Sequence, residues 1–236
     1  LEKHINKTPL ITNEAINSLV NAKVFFKLEN LQHTGSFKIR GALYKTSLLS
    51  KQQRKKGIVA YSSGNHAQAV AYSCFKYGIK STIVMPEDAP RIKIENTKKY
   101  GADIVFYNPK KESREKIGNK IALDTGKILI KPYDDIDIIT GQGTIGKEIT
   151  EQLNEINIIP DIYLCCVGGG GLIAGSSFYL KNYFPKIKNY SVEPNNYNDT
   201  QLSLEKNYIV SNKRKLKTIC DALLANQPGE ITFKIN

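Results

Sequence analysis

The chain has 236 residues, 41% hydrophobic and 24% charged, an ordinary globular composition with enough apolar side chains for a sizeable core. No apolar run approaches the roughly 18 residues of a membrane span, and Leu1-Glu2-Lys3-His4 lacks a charged-then-apolar leader pattern, so the expectation is a cytoplasmic protein with no membrane partner. The formal charge of +12 raises nucleic acid as a partner, but the lysines are scattered and the densest cluster, Arg54-Lys55-Lys56, has no interleaved aromatic residues, so no nucleic-acid partner is expected.

Strand-like and helix-like segments alternate along the chain. Residues 24–28 form a short apolar strand. Ser36 is placed to cap a helix running to about residue 49. The lysine-rich stretch 51–56 reads as a linker and a candidate domain boundary. A strand at 57–61 is followed by a helix at 66–77 that stops at Gly78, then by a strand at 81–85 closed by Pro86. Pro90 suits the start of a helix ending near Tyr100 and Gly101. A strand at 104–107, a helix at 112–125 ending at Gly126, and a strand at 128–131 follow. A helix spans about 144–156. Residues 161–167 read as a strong buried strand, followed by a glycine run and another helix, and 190–193 as a further strand. Such alternation with short connections predicts parallel α/β architecture. The four cysteines form no C-x-x-C pair; Cys165 and Cys166 lie in an apolar run and read as small core residues, which suits a reducing compartment.

Three segments carry chemistry, each where a strand ends and a helix begins, the place where open α/β sheets bind ligands. Gly168-Gly169-Gly170-Gly171-Leu172 follows an apolar strand. Four glycines are costly in conformational entropy where a turn needs one or two. Their unhindered N–H groups before a helix suit a phosphate. Neither a P-loop lysine nor a G-x-G-x-x-G pattern is present. Thr34-Gly35-Ser36-Phe37-Lys38-Ile39-Arg40-Gly41-Ala42 places Lys38 between apolar neighbours. A desolvated lysine there becomes a nucleophile for aldehydes, while the plainer reading is a solvated surface lysine. Ser62-Ser63-Gly64-Asn65-His66-Ala67-Gln68 crowds polar side chains into a strand-to-helix turn, beyond what N-capping alone requires.

Together, and in this order, the strings S-F-K-I-R-G-A, S-S-G-N-H-A-Q and G-G-G-G-L resemble the serine/threonine dehydratase and serine racemase family of fold-type II pyridoxal-phosphate enzymes (tryptophan synthase β-like). Val84-Met85-Pro86-Glu87-Asp88-Ala89-Pro90, Gly141-Gln142-Gly143-Thr144 and Val192-Glu193-Pro194 agree with it, and the likeness runs from Thr8 to about Phe233. His66 after Gly64-Asn65 argues against the related cysteine synthases. The resemblance implies two parallel-sheet domains: a large one from residues 1–56 plus 135–236, incomplete at its C-terminus, and a small one from 57–134. It implies that Lys38 is the Schiff-base lysine and the general base at Cα, and that Phe37 packs on the cofactor ring. Asn65 would bind the ring hydroxyl, and Gly168, Gly169, Gly170, Gly171 and Leu172 the phosphate. Ser62, Ser63 and His66 would line the substrate carboxylate site, and Arg114 the substrate region, although Arg114 reads equally well as a solvated helix residue. Ser63 also stands where racemases of this family carry their second acid/base. Glu193, the Tyr197 main chain and Asp199 would hold Mg²⁺ or Ca²⁺. The implied activity is β-elimination of L-serine, L-threonine or 3-hydroxyaspartate to a keto acid and ammonia, with serine racemisation beside it, in a homodimer. Family members continue well past Asn236, into the part that holds the pyridine nitrogen, so the alternative expectation is a catalytically impaired remnant.

Overall fold

A computed structural model of the chain describes residues 3–212 and 218–236. β1 (Leu10–Thr12) and β2 (Phe25–Lys27) pair antiparallel, with Leu10 opposite Lys27. Between them lies the short helix α1 (Glu14–Val20), capped by Asn13 accepting from Ile16 N. This ribbon is an antiparallel exception in a chain read as parallel throughout.

α2 (Lys38–Ser47) follows two short 3₁₀ turns. Its N-cap is Phe37, with no side-chain cap bond, and not Ser36. Ser36 is extended, and its buried hydroxyl has no hydrogen-bond partner. α3 (Lys51–Lys56) replaces the expected linker: Ser50 Oγ accepts from Gln53 N while Gln53 returns its side chain to Ser50 N. That reciprocal capping box lets a six-residue polar stretch hold a helix.

β3 (Ile58–Tyr61), α4 (Asn65–Tyr77), β4 (Ser81–Pro86), α5 (Arg91–Lys99), β5 (Asp103–Tyr107), α6 (Arg114–Thr125) and β6 (Ile128–Ile130) come next. The four strands form one parallel sheet in the order β5-β4-β3-β6, with Ile58 beside both Ser81 and Ile128. Strand side chains alternate between faces. Ile58, Ala60, Ile83 and Met85 pack with Ile39 and Leu43 of α2 and Val70 and Cys74 of α4. Val59, Tyr61, Val84 and Tyr107 pack on the other face against Ile117 and Ile121 of α6. Every residue of β3 and β4 is buried, which explains the apolar runs 58–61 and 83–86. Gly78 and Gly126 close α4 and α6 in the left-handed conformation, as read.

α7 (Ile136–Glu155) begins eight residues before the predicted start, capped by Asp135, which accepts from Asp137 N and Ile138 N. Its glycines look like a loop in sequence but are contact points. A Cβ on Gly141 would meet Gly41 Cα at 2.6 Å and Arg40 O at 2.7 Å, so glycine is what lets α7 lie against α2. β7 (Ile162–Cys166), α8 (Gly171–Tyr183) and β8 (Lys188–Val192) form a second parallel unit, with Ile162 beside Lys188. The expectation that β7 is fully buried is wrong: Ile162 is 54% and Leu164 65% exposed. Among the described residues β7 pairs with β8 alone, and Tyr190 and Val192 of β8 are exposed as well. α9 (Asp199–Lys206) and α10 (Glu230–Ile235), neither predicted, complete the described chain. Among the described residues no helix is long and apolar enough to cross a membrane.

Candidate active site

The loops at the C-terminal ends of β3, β4, β6 and β7 converge on one cleft of about 760 Å³. All three motifs contribute to it: Phe37 and Lys38, residues 62–66, and Gly168 to Leu172.

Lys38 is the first residue of α2. Its Nζ donates to the Pro132 carbonyl at 2.7 Å and stands 5.2 Å from the Phe37 ring centroid. Burial, reinforced by the positive charge of Arg114, pushes the amine from 10.5 down to about 8. A lysine so placed is neutral in a useful fraction of molecules near neutral pH.

In the loop after β3, Ser62 Oγ accepts from Gly64 N at 3.1 Å, which fixes the turn. Ser63 is exposed and lines the cleft, and Asn65 opens α4. His66 is buried, with Nε2 3.1 Å from the Ile130 carbonyl. A carbonyl only accepts, so Nε2 carries the hydrogen. Burial, with Lys38 and Arg114 nearby, pushes the imidazole down to about 3, so His66 is neutral. It brings no positive charge to a substrate carboxylate.

The glycine loop is pinned from two sides. A Cβ on Gly169 would run into the Tyr133 ring. Gly170 has φ +90°, and a Cβ there would meet Thr232 at 2.9 Å. Thr232 Oγ1 donates to Gly169 O at 2.7 Å, and Gly229 N donates to the same oxygen at 3.3 Å. The first N–H groups of α8 have no intrahelical acceptor, and its N-cap, Gly170, offers no side-chain bond. These donors suit a phosphate.

Arg114 opens α6, capped by Ser113, which accepts from Lys116 N. Its Nε donates to Glu115 Oε1 at 2.8 Å, and its guanidinium lies 5.9 Å from the Tyr61 ring centroid. It lines the cleft rather than facing bulk water alone.

The proposed cation ligands behave differently from one another. Both oxygens of Glu193 accept backbone N–H groups of α9, from Thr200 at 3.0 Å and Gln201 at 2.9 Å. Asp199 is buried; one oxygen accepts from Asn212 Nδ2 at 2.5 Å and the other has no hydrogen-bond partner. Burial pushes its carboxyl up to about 6. Tyr197 is buried at the cleft edge. Among the described residues no three His, Cys, Asp or Glu side chains gather as a metal cluster.

Sequence reading missed the Pro132-Tyr133-Asp134 segment. It follows β6, so the strand-end logic that found the other loops would have found it too. It also missed Lys93, which reaches across Gly64 and pairs with Asp221 at 2.8 Å. Cys165 is buried, as expected, but Cys166 is exposed and lines the cleft with Cys220; all four cysteines are free.

The family described as pyridoxal-phosphate dependent enzyme matches residues 1–236, and the chain belongs to that family. L-threo-3-hydroxyaspartate ammonia-lyase of Saccharomyces cerevisiae is 43% identical over 235 residues, covering 100% of this chain and 71% of that protein. Serine racemase of Schizosaccharomyces pombe is 42% identical with the same coverage. The structure of maize serine racemase superposes with a TM-score of 0.92 at 37% identity, over 99% of this chain and 69% of that one. The fold is that of the fold-type II pyridoxal-phosphate enzymes, as the motifs implied.

Proposed function

We propose that this chain, with pyridoxal 5′-phosphate bound, eliminates water from a small hydroxy amino acid (L-serine, L-threonine or 3-hydroxyaspartate) to an enamine, which water then hydrolyses to a keto acid and ammonia. The observation that carries the reading is the half-buried Lys38 amine, held against the Pro132 carbonyl and lowered to about 8, in one cleft with the serine loop and the glycine loop. The related ammonia-lyase and racemase support it.

The residues present fit the cofactor. Lys38 supplies the amine for covalent attachment, and the Phe37 ring beside it supplies an apolar face. Asn65 is the polar side chain for the ring hydroxyl. Gly168 to Leu172 offer backbone donors without side chains in the way, and Tyr133, Gly229 and Thr232 hold that backbone still. The cofactor, when bound, supplies an electron sink for negative charge at the substrate Cα.

With a substrate bound, the Lys38 amine would be placed to take the Cα proton as general base. The Pro132 carbonyl holds its nitrogen at the cleft wall. The Ser62–Ser63 turn and the start of α4 receive the substrate carboxylate through hydroxyls and main-chain donors, because His66 is neutral. Arg114 is the cation on the substrate side of the cleft. Serine racemisation is a second activity of the same site. Ser63, exposed in the cleft, is its candidate acid/base on the opposite face.

The reading extends to Mg²⁺ or Ca²⁺ at Glu193, Tyr197 and Asp199. The unpartnered Asp199 oxygen is a donor suited to a hard cation. It extends also to residues 57–134 as a small domain beside a large one, and to a cytoplasmic homodimer. The test is keto-acid release from each substrate by the cofactor-loaded chain and by Lys38→Ala. Release by the first and not the second supports the proposal. Cofactor bound at Lys38 without any release favours the impaired remnant.

A further inference from the structure

Lys38 sits at the start of a helix that no side chain caps. Phe37 provides no cap bond and the Ser36 hydroxyl is unpartnered, so the helix end is located by something else. Two residues on, Arg40 is completely buried. Its guanidinium forks onto Glu29, at 2.8 Å through Nε and 2.7 Å through Nη2. It forks again onto Glu148 of α7, at 2.6 Å through Nη1 and 2.9 Å through Nη2. Nη1 also donates to Thr144 Oγ1 of α7 at 3.2 Å. Lys27 completes the set with 2.6 Å to Glu148, so two cations meet two carboxylates. Burial opposes the charge on Glu148, yet hydrogen bonds from Arg40 and Lys27 hold its carboxyl below the usual range.

The acceptor of the Lys38 amine belongs to the same body. Pro132 lies three residues before Asp135, the N-cap of α7. Lys45, at the far end of α2, pairs with Asp135 at 3.1 Å and Asp137 at 2.7 Å. The two helices therefore run antiparallel, touching at Gly41 and Gly141, with an ion pair near each end. A rotation of α2 on α7 carries Lys38 away from Pro132.

We propose that the Arg40–Glu148 fork is the positioning device for Lys38, fixing the rotation of α2 so that its amine stays enclosed against the Pro132 carbonyl. Glu29 grips the same guanidinium from the turn before α2, so it does not tie α2 to α7. The inference rests on the reading of Lys38 as the attachment lysine, but its test does not need the cofactor.

The experiment compares Glu148→Gln, Glu148→Asp and Glu29→Gln. The Lys38 amine is titrated in apoprotein by competitive acetylation and peptide mass analysis. Arg114 from α6 and His66 from α4, which face Lys38, are unchanged in all three. Wild type and Glu29→Gln should titrate near 8. Glu148→Gln should titrate about one pH unit higher, as the amine regains water, with Glu148→Asp between, readable even if the glutamine variant folds poorly. In the loaded enzyme, kcat should fall roughly ten- to hundred-fold for Glu148→Gln with KM little changed. Equal midpoints in wild type and all three variants, or an equal shift in Glu29→Gln, would overturn the assignment. Failure of wild-type Lys38 to take up pyridoxal phosphate would instead sink the attachment reading and leave the titration result standing.

Discussion

The serine loop and the glycine loop face each other across one cleft, yet they are supported in opposite ways. The serine loop leaves β3, which lies inside a four-stranded sheet with every residue buried. The glycine loop leaves β7, which pairs with one strand and exposes Ile162 and Leu164. What holds the glycine loop is contact from elsewhere in the chain: the Tyr133 ring, Gly229 N and Thr232 Oγ1. One half of the site thus inherits its rigidity from the core, and the other obtains it from a few tertiary contacts.

That contrast can be broken most forcefully in the core. Ile83→Ala, on β4, should cost about 2–5 kcal/mol by denaturant unfolding. A cost near zero would mean the sheet does not anchor the serine loop. The next effect has the opposite sign. The Lys38 amine titrates near 8 in the native chain and at 10.5 when unfolded. The native state therefore holds its proton less tightly, and burying the charge costs stability below pH 8, a penalty that vanishes as pH rises toward 10.5. Lys38→Met should stabilise the apoprotein by about 1–3 kcal/mol at pH 7 and by much less at pH 10. Equal stabilisation at both pH values would contradict the enclosed amine. Thr232→Val deletes one tie on the glycine loop and should weaken pyridoxal phosphate binding about five- to tenfold, close to the 1 kcal/mol of one hydrogen bond. Equilibrium titration reads it, and unchanged affinity would show that the loop is held without α10. The smallest effect belongs to β7: Leu164→Ser should change stability by no more than about 0.5 kcal/mol.

The same division decides what was legible in the sequence. β3 and most of β4 are apolar because both faces are covered, and Gly78 and Gly126 end helices by local conformation, so these features could be read from neighbours along the chain. The three cleft motifs were legible for a related reason: glycines, serines and a lysine at strand ends are expensive or unusual residues to place there. α3 carried a readable signal in Ser50 and Gln53 that its lysines obscured. The start of α7 was hidden because Gly141 looks like a loop residue until Gly41 is seen against it. Tyr133 on Gly169, Thr232 on Gly169 O and Arg40 on Glu148 join residues 36, 63 and 108 positions apart, and no local pattern announces such meetings. The loss of positive charge on His66 likewise depends on burial and on Lys38, not on its own motif.

The central claim is that Lys38 is the cofactor-attachment residue of the cleft. Apoprotein is incubated with pyridoxal phosphate across pH 6–11, reduced with borohydride, and mapped by peptide mass. The account predicts one dominant modified residue, Lys38, with an attachment rate that rises with pH to a plateau and has its midpoint near 8. Labelling spread over the surface lysines, or labelling at Lys38 with a midpoint near 10.5, would contradict it.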